Sequence, residues 1–185
     1  MEIRRASSQD SANIANLVIH AMEDIIYSFI GEKSMEKSIV FLTGLIQEKG
    51  NQYSFENCWI AADEDDVLAA VIVYDGGKLN ELRQPVAERI KIMFNRPLVA
   101  EDETEAGEYY IDCLAVNVNA QGKGIGSEIL NFLINEYVIT QKKTLGLLVD
   151  NDNPRARNLY LKLGFQFIKH KSLAGKTLAH LQIKP

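Results

Sequence analysis

A chain of 185 residues fits one domain with room for an insertion, and a composition of 46% hydrophobic and 24% charged residues is that of a globular protein, which excludes a disordered one. Twenty Lys and Arg against 25 Asp and Glu leave a net charge of -5, the wrong sign for gripping nucleic-acid phosphates, so small molecules or proteins are the expected partners. The longest apolar run, Val67 to Tyr74, falls well short of the roughly 20 residues that span a bilayer, and Met1-Glu2-Ile3-Arg4-Arg5 does not lead into a signal-peptide core, so a soluble, cytoplasmic protein without a membrane partner is expected.

Ile3-Arg4-Arg5-Ala6 reads as a short strand. Asp10 is placed to cap a helix whose Ile14, Leu17, Val18, Ala21, Met22, Ile25 and Ile26 have amphipathic spacing. A second helix starts at Ser34, sets Met35, Ile39, Leu42 and Ile46 on one face, and ends near Gly50. Asn57 to Ala62 and Val67 to Tyr74 are apolar, β-branched strands joined by an acidic hairpin turn, Asp63-Glu64-Asp65-Asp66. Lys78 to Gly107 differs in character and reads as an insertion or lid. Leu79, Leu82, Val86, Ile90 and Met93 form a helical face, Pro97 stops it, and the acidic run Glu101 to Glu105 reads as a solvated loop, with a patch that attracts a cationic amine as the alternative.

Glu108 to Val116 is a strand, Ile125 to Val138 is periodic as a helix, and Thr144 to Val149 is a strand again. In the next helix Asn153 can cap and Pro154 suits the first position, while Ala156, Leu159, Tyr160 and Leu163 share a face and Gly164 stands where a left-handed residue ends a helix. Phe165 to His170 and Leu178 to Ile183 finish as strands. The order β-α-α-β-β, insertion, β-α-β-α-β-β is that of an α/β (α+β) protein on a mixed sheet, a single domain over 1–185 with a helical, acidic insertion at about 78–107. Cys58 and Cys113 lie in apolar strands and read as buried thiols. His20, His170 and His180 are too scattered for a zinc site, so no metal is expected.

Gln121-Gly122-Lys123-Gly124-Ile125-Gly126 joins a strand to a helix, where unpaired amides and the helix dipole attract anions, and Ser127 could add a hydroxyl. A phosphate-binding turn and a purely steric glycine turn are both open at this point. The glycines do not fit the G-x-G-x-x-G dinucleotide spacing, and Gly175-Lys176-Thr177 lacks the earlier glycine of a P-loop, with His170 in its place.

The turn does match the R/Q-x-x-G-x-G/A signature of the GNAT superfamily of N-acetyltransferases, and it follows Leu114-Ala115-Val116 at that family's distance. Asn153-Pro154-Arg155-Ala156-Arg157-Asn158-Leu159-Tyr160 with Gly164-Phe165 resembles the same family's N-x-x-A-x-x-L-Y-x-x-x-G-F segment. The two motifs, in order and in the right strand and helix context, cover Tyr109 to Phe167; the segment 78–107 is not part of the common pattern. The resemblance implies a mixed, mostly antiparallel sheet of about six to seven strands flanked by helices, and an enzyme that moves an acetyl group from acetyl-CoA to an amine.

What the resemblance implies for the site can be named residue by residue. Gln121, Gly122, Lys123, Gly124, Ile125, Gly126 and Ser127 would cradle the pyrophosphate of coenzyme A. Leu114, Ala115 and Val116 would offer backbone groups to its pantetheine arm and an N–H to the thioester oxygen, beside a bulge in their strand. Asn153 would be helix cap and cofactor contact at once, and Tyr160 would face the sulfur as the acid for the departing thiolate. An ammonium must also lose a proton before it attacks, and Asp112 and Glu108 are the nearest carboxylates on the strand. Strict alternation sets Glu108, Tyr110, Asp112 and Leu114 on one face, where a carboxylate is either in a cleft, as base or with a water relay running through Asp112 or the Tyr110 hydroxyl, or on a solvated edge or acting as a local hydrogen-bond acceptor. The family often has a glutamate where Tyr110 stands. The expected acceptor is a small-molecule or peptide amine. A catalytically silent acyl-CoA-binding regulatory module is the alternative, and dimers are common among similar proteins, which leaves a homodimer open.

Overall fold

Seven strands assemble into one sheet because most of their apolar runs are covered on both faces. The computed structural model describes residues 1–64, 66–173 and 175–185. The strands are β1 (Glu2–Arg5), β2 (Cys58–Asp63), β3 (Asp66–Asp75), β4 (Glu108–Val116), β5 (Thr144–Asp150), β6 (Gln166–Leu173) and β7 (Lys176–Ile183), in the order β1-β2-β3-β4-β5-β7-β6. Every neighbouring pair is antiparallel except β4 and β5, which run parallel. The helices are α1 (Ser11–Ile30), α2 (Met35–Gln47), α3 (Leu79–Phe94), α4 (Ile125–Leu133) and α5 (Pro154–Lys162). This is the mixed, mostly antiparallel architecture expected from the sequence.

Two apolar layers sandwich the sheet. On one face Ile14, Val18 and Ile26 of α1, Phe41 and Leu45 of α2 and Val86 and Ile90 of α3 pack on Ile60, Ile72, Tyr74 and Tyr110. On the other, Ile129, Leu130 and Leu133 of α4, with Leu159 and Tyr160 of α5, cover Val71, Val73, Leu145, Leu147 and Val149. Cys58 and Cys113 are buried free thiols, and burial pushes both upward in pKa. No single helix among the described residues is long and apolar enough to cross a membrane.

Local signals set most helix ends, and the exceptions have physical causes. Ser34 Oγ accepts from the Lys37 amide at 3.3 Å and starts α2. Asp10 stands before α1 but makes no side-chain cap to it. Its carboxylate instead turns back to accept from the Ser7 amide at 2.7 Å and, in a charge-assisted pair, from Arg4 at 2.8 and 2.9 Å, which uses both of its oxygens. α1 is broken at Met22 (φ -127°, ψ 19°). α3 ends at Asn95, in the left-handed region at φ 52°, rather than at Pro97, and Met93 is exposed. The periodicity from Ile125 to Val138 is not one α-helix: beyond Leu133 it widens into π-helical turns, Ile134–Thr140, in which the Tyr137 hydroxyl accepts from Trp59 Nε1 at 3.1 Å. Asp63 and Asp66 pair across the β2–β3 hairpin; Asp65, in the expected turn, lies outside the described residues.

Candidate active site

The parallel pair β4–β5 is joined over only Glu108–Ile111 against Thr144–Leu147. Past Ile111 the two strands share no further register among the described residues. Leu114, Ala115 and Val116 pair only with β3, and Leu148, Val149 and Asp150 only with β7. A wedge therefore opens in the middle of the sheet, and its two lips carry main-chain groups with no strand to satisfy them.

A bulge sits where the wedge begins. Ile72 is opposite Cys113 and Val73 is opposite Ile111, so Asp112 is the extra residue of β4. The bulge corrects the alternation expected from the sequence. Glu108, Tyr110 and Asp112 do share the α1 side, but Cys113 and Ala115 follow them there, while Leu114 and Val116 pack with the α4 layer.

Glu108 lies at the closed end of the wedge, with Oε2 at 2.8 Å from His180 Nε2 and 2.7 Å from Gln182 Nε2. It is spent on this buried network and does not reach the opening. Tyr110, also in the joined part, is buried, and desolvation with the charge of Asp112 raises its hydroxyl well above the ordinary value. Asp112 is different. Its Oδ2 accepts from Gln52 Nε2 at 3.0 Å, and its carboxyl is raised to about 7, first by desolvation and then by the negative charge of Glu103. Glu103 is a residue the sequence reading missed: it belongs to the acidic run read as solvated, yet it is only 8% exposed and bonds to Gln52, Tyr74 and Arg83. Glu101 and Asp102, in the same run, are exposed as expected. Nothing local distinguishes Glu103 from its neighbours, because its burial depends on Arg83, twenty residues earlier.

The glycine turn stands at the open end of the wedge. Gly122 and Gly124 take positive φ, 78° and 86°, which orients the amides that follow toward one side. Among the described residues the amides of Gly122, Lys123, Gly124, Ile125 and Gly126 find no acceptor. The Ser127 amide is already donated to the Gly124 carbonyl at 2.9 Å, so it drops out of the expected set of free donors and leaves that residue its hydroxyl. Gln121 Nε2 donates to the Val116 carbonyl at 3.2 Å and ties the turn to β4. A cleft of about 730 Å³ adjoins it, between Asn13 and His20 of α1 and Val116, Asn117 and Gln121. Unpaired amides at a helix start, beside unpaired strand edges, are donors that fit a diphosphate with an amide-bearing arm, the chemistry of coenzyme A.

Tyr160 comes to the wedge from α5. Asn153 Oδ1 accepts from the Ala156 amide at 3.1 Å, Pro154 opens the helix, and Gly164 closes it at φ 98°. The Tyr160 ring packs edge-on to Phe165 at 5.8 Å, and its hydroxyl, pushed up to about 12 by burial and then by Cys113 of β4, donates to no acceptor among the described residues. Among those residues no group of His, Cys, Asp and Glu is arranged to hold a metal ion.

The sequence profile of the acetyltransferase (GNAT) family matches residues 27–165. The chain belongs to that family. As a GNAT acyltransferase it is similar over its whole length to solved structures: a crystal structure of an acetyltransferase is 27% identical, with a TM-score of 0.84, covering 100% of this chain and 99% of that one. An N-acetyltransferase from Staphylococcus aureus Mu50 is 22% identical, with a TM-score of 0.87, covering 99% of this chain and 100% of that one. A spermidine/spermine N-acetyltransferase from Vibrio cholerae shares the GNAT fold at 14% identity, with a TM-score of 0.58 over 99% of this chain and 93% of that one. Comparison with curated protein sequences gives no match.

Proposed function

We propose that this GNAT enzyme uses acetyl-CoA and acetylates a primary amine by direct attack on the thioester. The observation that carries the reading is the wedge: a parallel pair that stops after four residues, with a turn of unengaged amides at its mouth. When bound, coenzyme A supplies an activated acyl group. Gly122 to Gly126 hold its diphosphate through backbone N–H groups, Leu114 to Val116 pair with its arm, and a β4 amide steadies the charge that develops on the carbonyl oxygen.

Asp112 takes the proton from the amine, and a carboxyl titrating near neutrality is matched to that task. Tyr160 meets the leaving sulfur. A thiol of pKa roughly 8.5 is a stronger acid than a hydroxyl at about 12, so Tyr160 acts by donating a hydrogen bond to the developing thiolate rather than by ionising. In this reading residues 1–185 work as one domain in which the segment 78–107 shapes the acceptor side. Two carboxylates there, Asp112 and Glu103, suit an acceptor that arrives as a cation.

The test is incubation with acetyl-CoA and a panel of polyamines, amino acids, aminoglycosides and peptide N-termini while free thiol is followed. Thiol release that depends on both substrates supports the transferase; binding without turnover across the panel favours the silent module.

A further inference from the structure

The segment that follows α3 does more than cover the acceptor side, because it brings a second carboxylate to Asp112. Gln52, in the loop between α2 and β2, is 4% exposed, and its amide nitrogen lies 2.9 Å from Glu103 Oε1, 3.0 Å from Asp112 Oδ2 and 3.1 Å from the Tyr74 hydroxyl. A primary amide has only two N–H groups. Ionised carboxylates accept and cannot donate, whereas a tyrosine can do either. The arrangement that satisfies every group gives one Gln52 N–H to each carboxylate, while Tyr74 donates its own proton to Glu103 across 3.3 Å. Two negative groups thus share one donor, within about two hydrogen-bond lengths of each other.

Glu103 is held there from behind. Arg83 of α3 bonds its Oε2 and also reaches Asp102 Oδ1 and the Glu101 carbonyl, each at 3.0 Å, so one guanidinium clamps three consecutive residues. The titratable and polar groups that face Asp112 come from every neighbouring element. They are Glu103 from the segment, Arg83 from α3, Gln52 and Tyr53 from the loop, Cys58 from β2, Tyr74 from β3, and Tyr110 and Cys113 from β4. The buried face of α1 adds only apolar side chains besides Ser11. Burial and then Glu103 oppose the ionised form, while the Gln52 amide, the charge of Arg83 and the Tyr74 hydroxyl favour it.

Resting on the reading of Asp112 as the proton acceptor, we propose that Glu103 is its positioning residue: the segment 95–107 carries a fixed negative charge to Asp112, which then takes a proton that a solitary surface carboxylate would leave on the ammonium. In that step an N–H bond of the ammonium breaks, an O–H bond forms on Asp112, and the nitrogen keeps the electron pair with which it attacks the acyl carbon. The tie to Arg83 makes the seating of this segment a condition for a competent base.

The experiment reads Asp112 directly, without depending on turnover. Protein labelled with ¹³C at aspartate side-chain carboxyls is titrated by NMR, the Asp112 resonance being the one lost in Asp112→Asn. In Glu103→Gln the Asp112 midpoint falls by about one pH unit or more, because a like charge has been removed. In Gln52→Leu it rises, because a donor to the ionised form is gone, and Glu103→Asp, which keeps the charge, stays close to the wild type. Glu103→Met is made alongside, so that one neutral variant with native dispersion can be read. A midpoint that does not fall in a folded neutral variant overturns the role of Glu103 alone. With any panel amine that turns over, the acid limb of kcat/KM moves with the resonance; a limb that stays while the resonance moves overturns Asp112 as the base, and the proposal with it.

Discussion

Asp112 and Tyr160 approach the wedge between β4 and β5 from opposite faces of the sheet, Asp112 bonded to residues of the α1 layer and Tyr160 packed into the α4 layer. In the proposed reaction a proton would be taken from a nucleophile on one side of a flat acyl group while a hydrogen bond is given to the leaving group on the other. This separation decides what each substitution should do.

Tyr160→Phe keeps the ring packed on Phe165 and removes only the hydroxyl. Turnover should fall by ~10-fold or more, the scale of one transition-state hydrogen bond, while calorimetric affinity for acetyl-CoA changes little. Wild-type turnover in this variant would remove Tyr160 from the chemistry.

Asp112→Asn should cost about 100-fold in kcat/KM and abolish the acid limb near pH 7. It should also raise stability. The folded pKa, about 7, is above that of an unfolded aspartate, so the folded state binds the extra proton and stability declines as pH rises from about 4 to about 7. Thermal melts of the variant and wild type should agree near pH 4 and diverge in favour of Asn by pH 8.

Gly124→Ala meets no atom within 4 Å but must hold φ at +86°, so its cost is conformational, about 1 kcal/mol. Relief of that strain turns the neighbouring amides away, and the Kd for coenzyme A should rise by ~10-fold with the fold intact. Gly126→Ala is the control: its φ is ordinary and its new methyl meets Val116 Cγ2 at 3.5 Å, an unremarkable contact, so the melting temperature should hold.

Asp10→Asn tests a structural pair far from the chemistry. Hydrogen bonds from Arg4, and then from Ser7, hold the Asp10 carboxyl down at about 2. Its stabilisation is complete above the unfolded value near 4 and is lost as pH falls toward 2. Allowing for solvent at the partly exposed Arg4, the loss on Asp10→Asn should be about 1–2 kcal/mol at pH 7, read from urea midpoints.

Most of the scaffold was legible because its signals are local. Glu108 to Val116 has the composition of a strand, and Asn153, Pro154 and Gly164 mark the ends of α5 by capping chemistry that needs no partner. A bulge in this strand was expected only by resemblance, and the wedge was not legible in the residues themselves, since a ladder that stops pairing leaves no mark in composition. The switch of Leu114 to the other face follows from the bulge, which strict alternation cannot contain. Asp10 was misread because a cap and an ion-pair partner have the same residue type, and the long-range bond to Arg4 decides between them. Glu103 was invisible for a related reason: a charge run looks solvated until a buried guanidinium from another helix claims one member.

The short β4–β5 junction has a mechanical consequence. Among the described residues it is the one parallel seam in the sheet, and only four register pairs join the strands β1 to β4 with their helices to the slab of β5, β7 and β6. A donor lodged between the lips would act as a splint, completing the hydrogen-bond ladder across the seam. Amides of Leu114 and Leu148, on facing lips, should then exchange with deuterium as slowly as their paired neighbours once coenzyme A is bound, and faster without it.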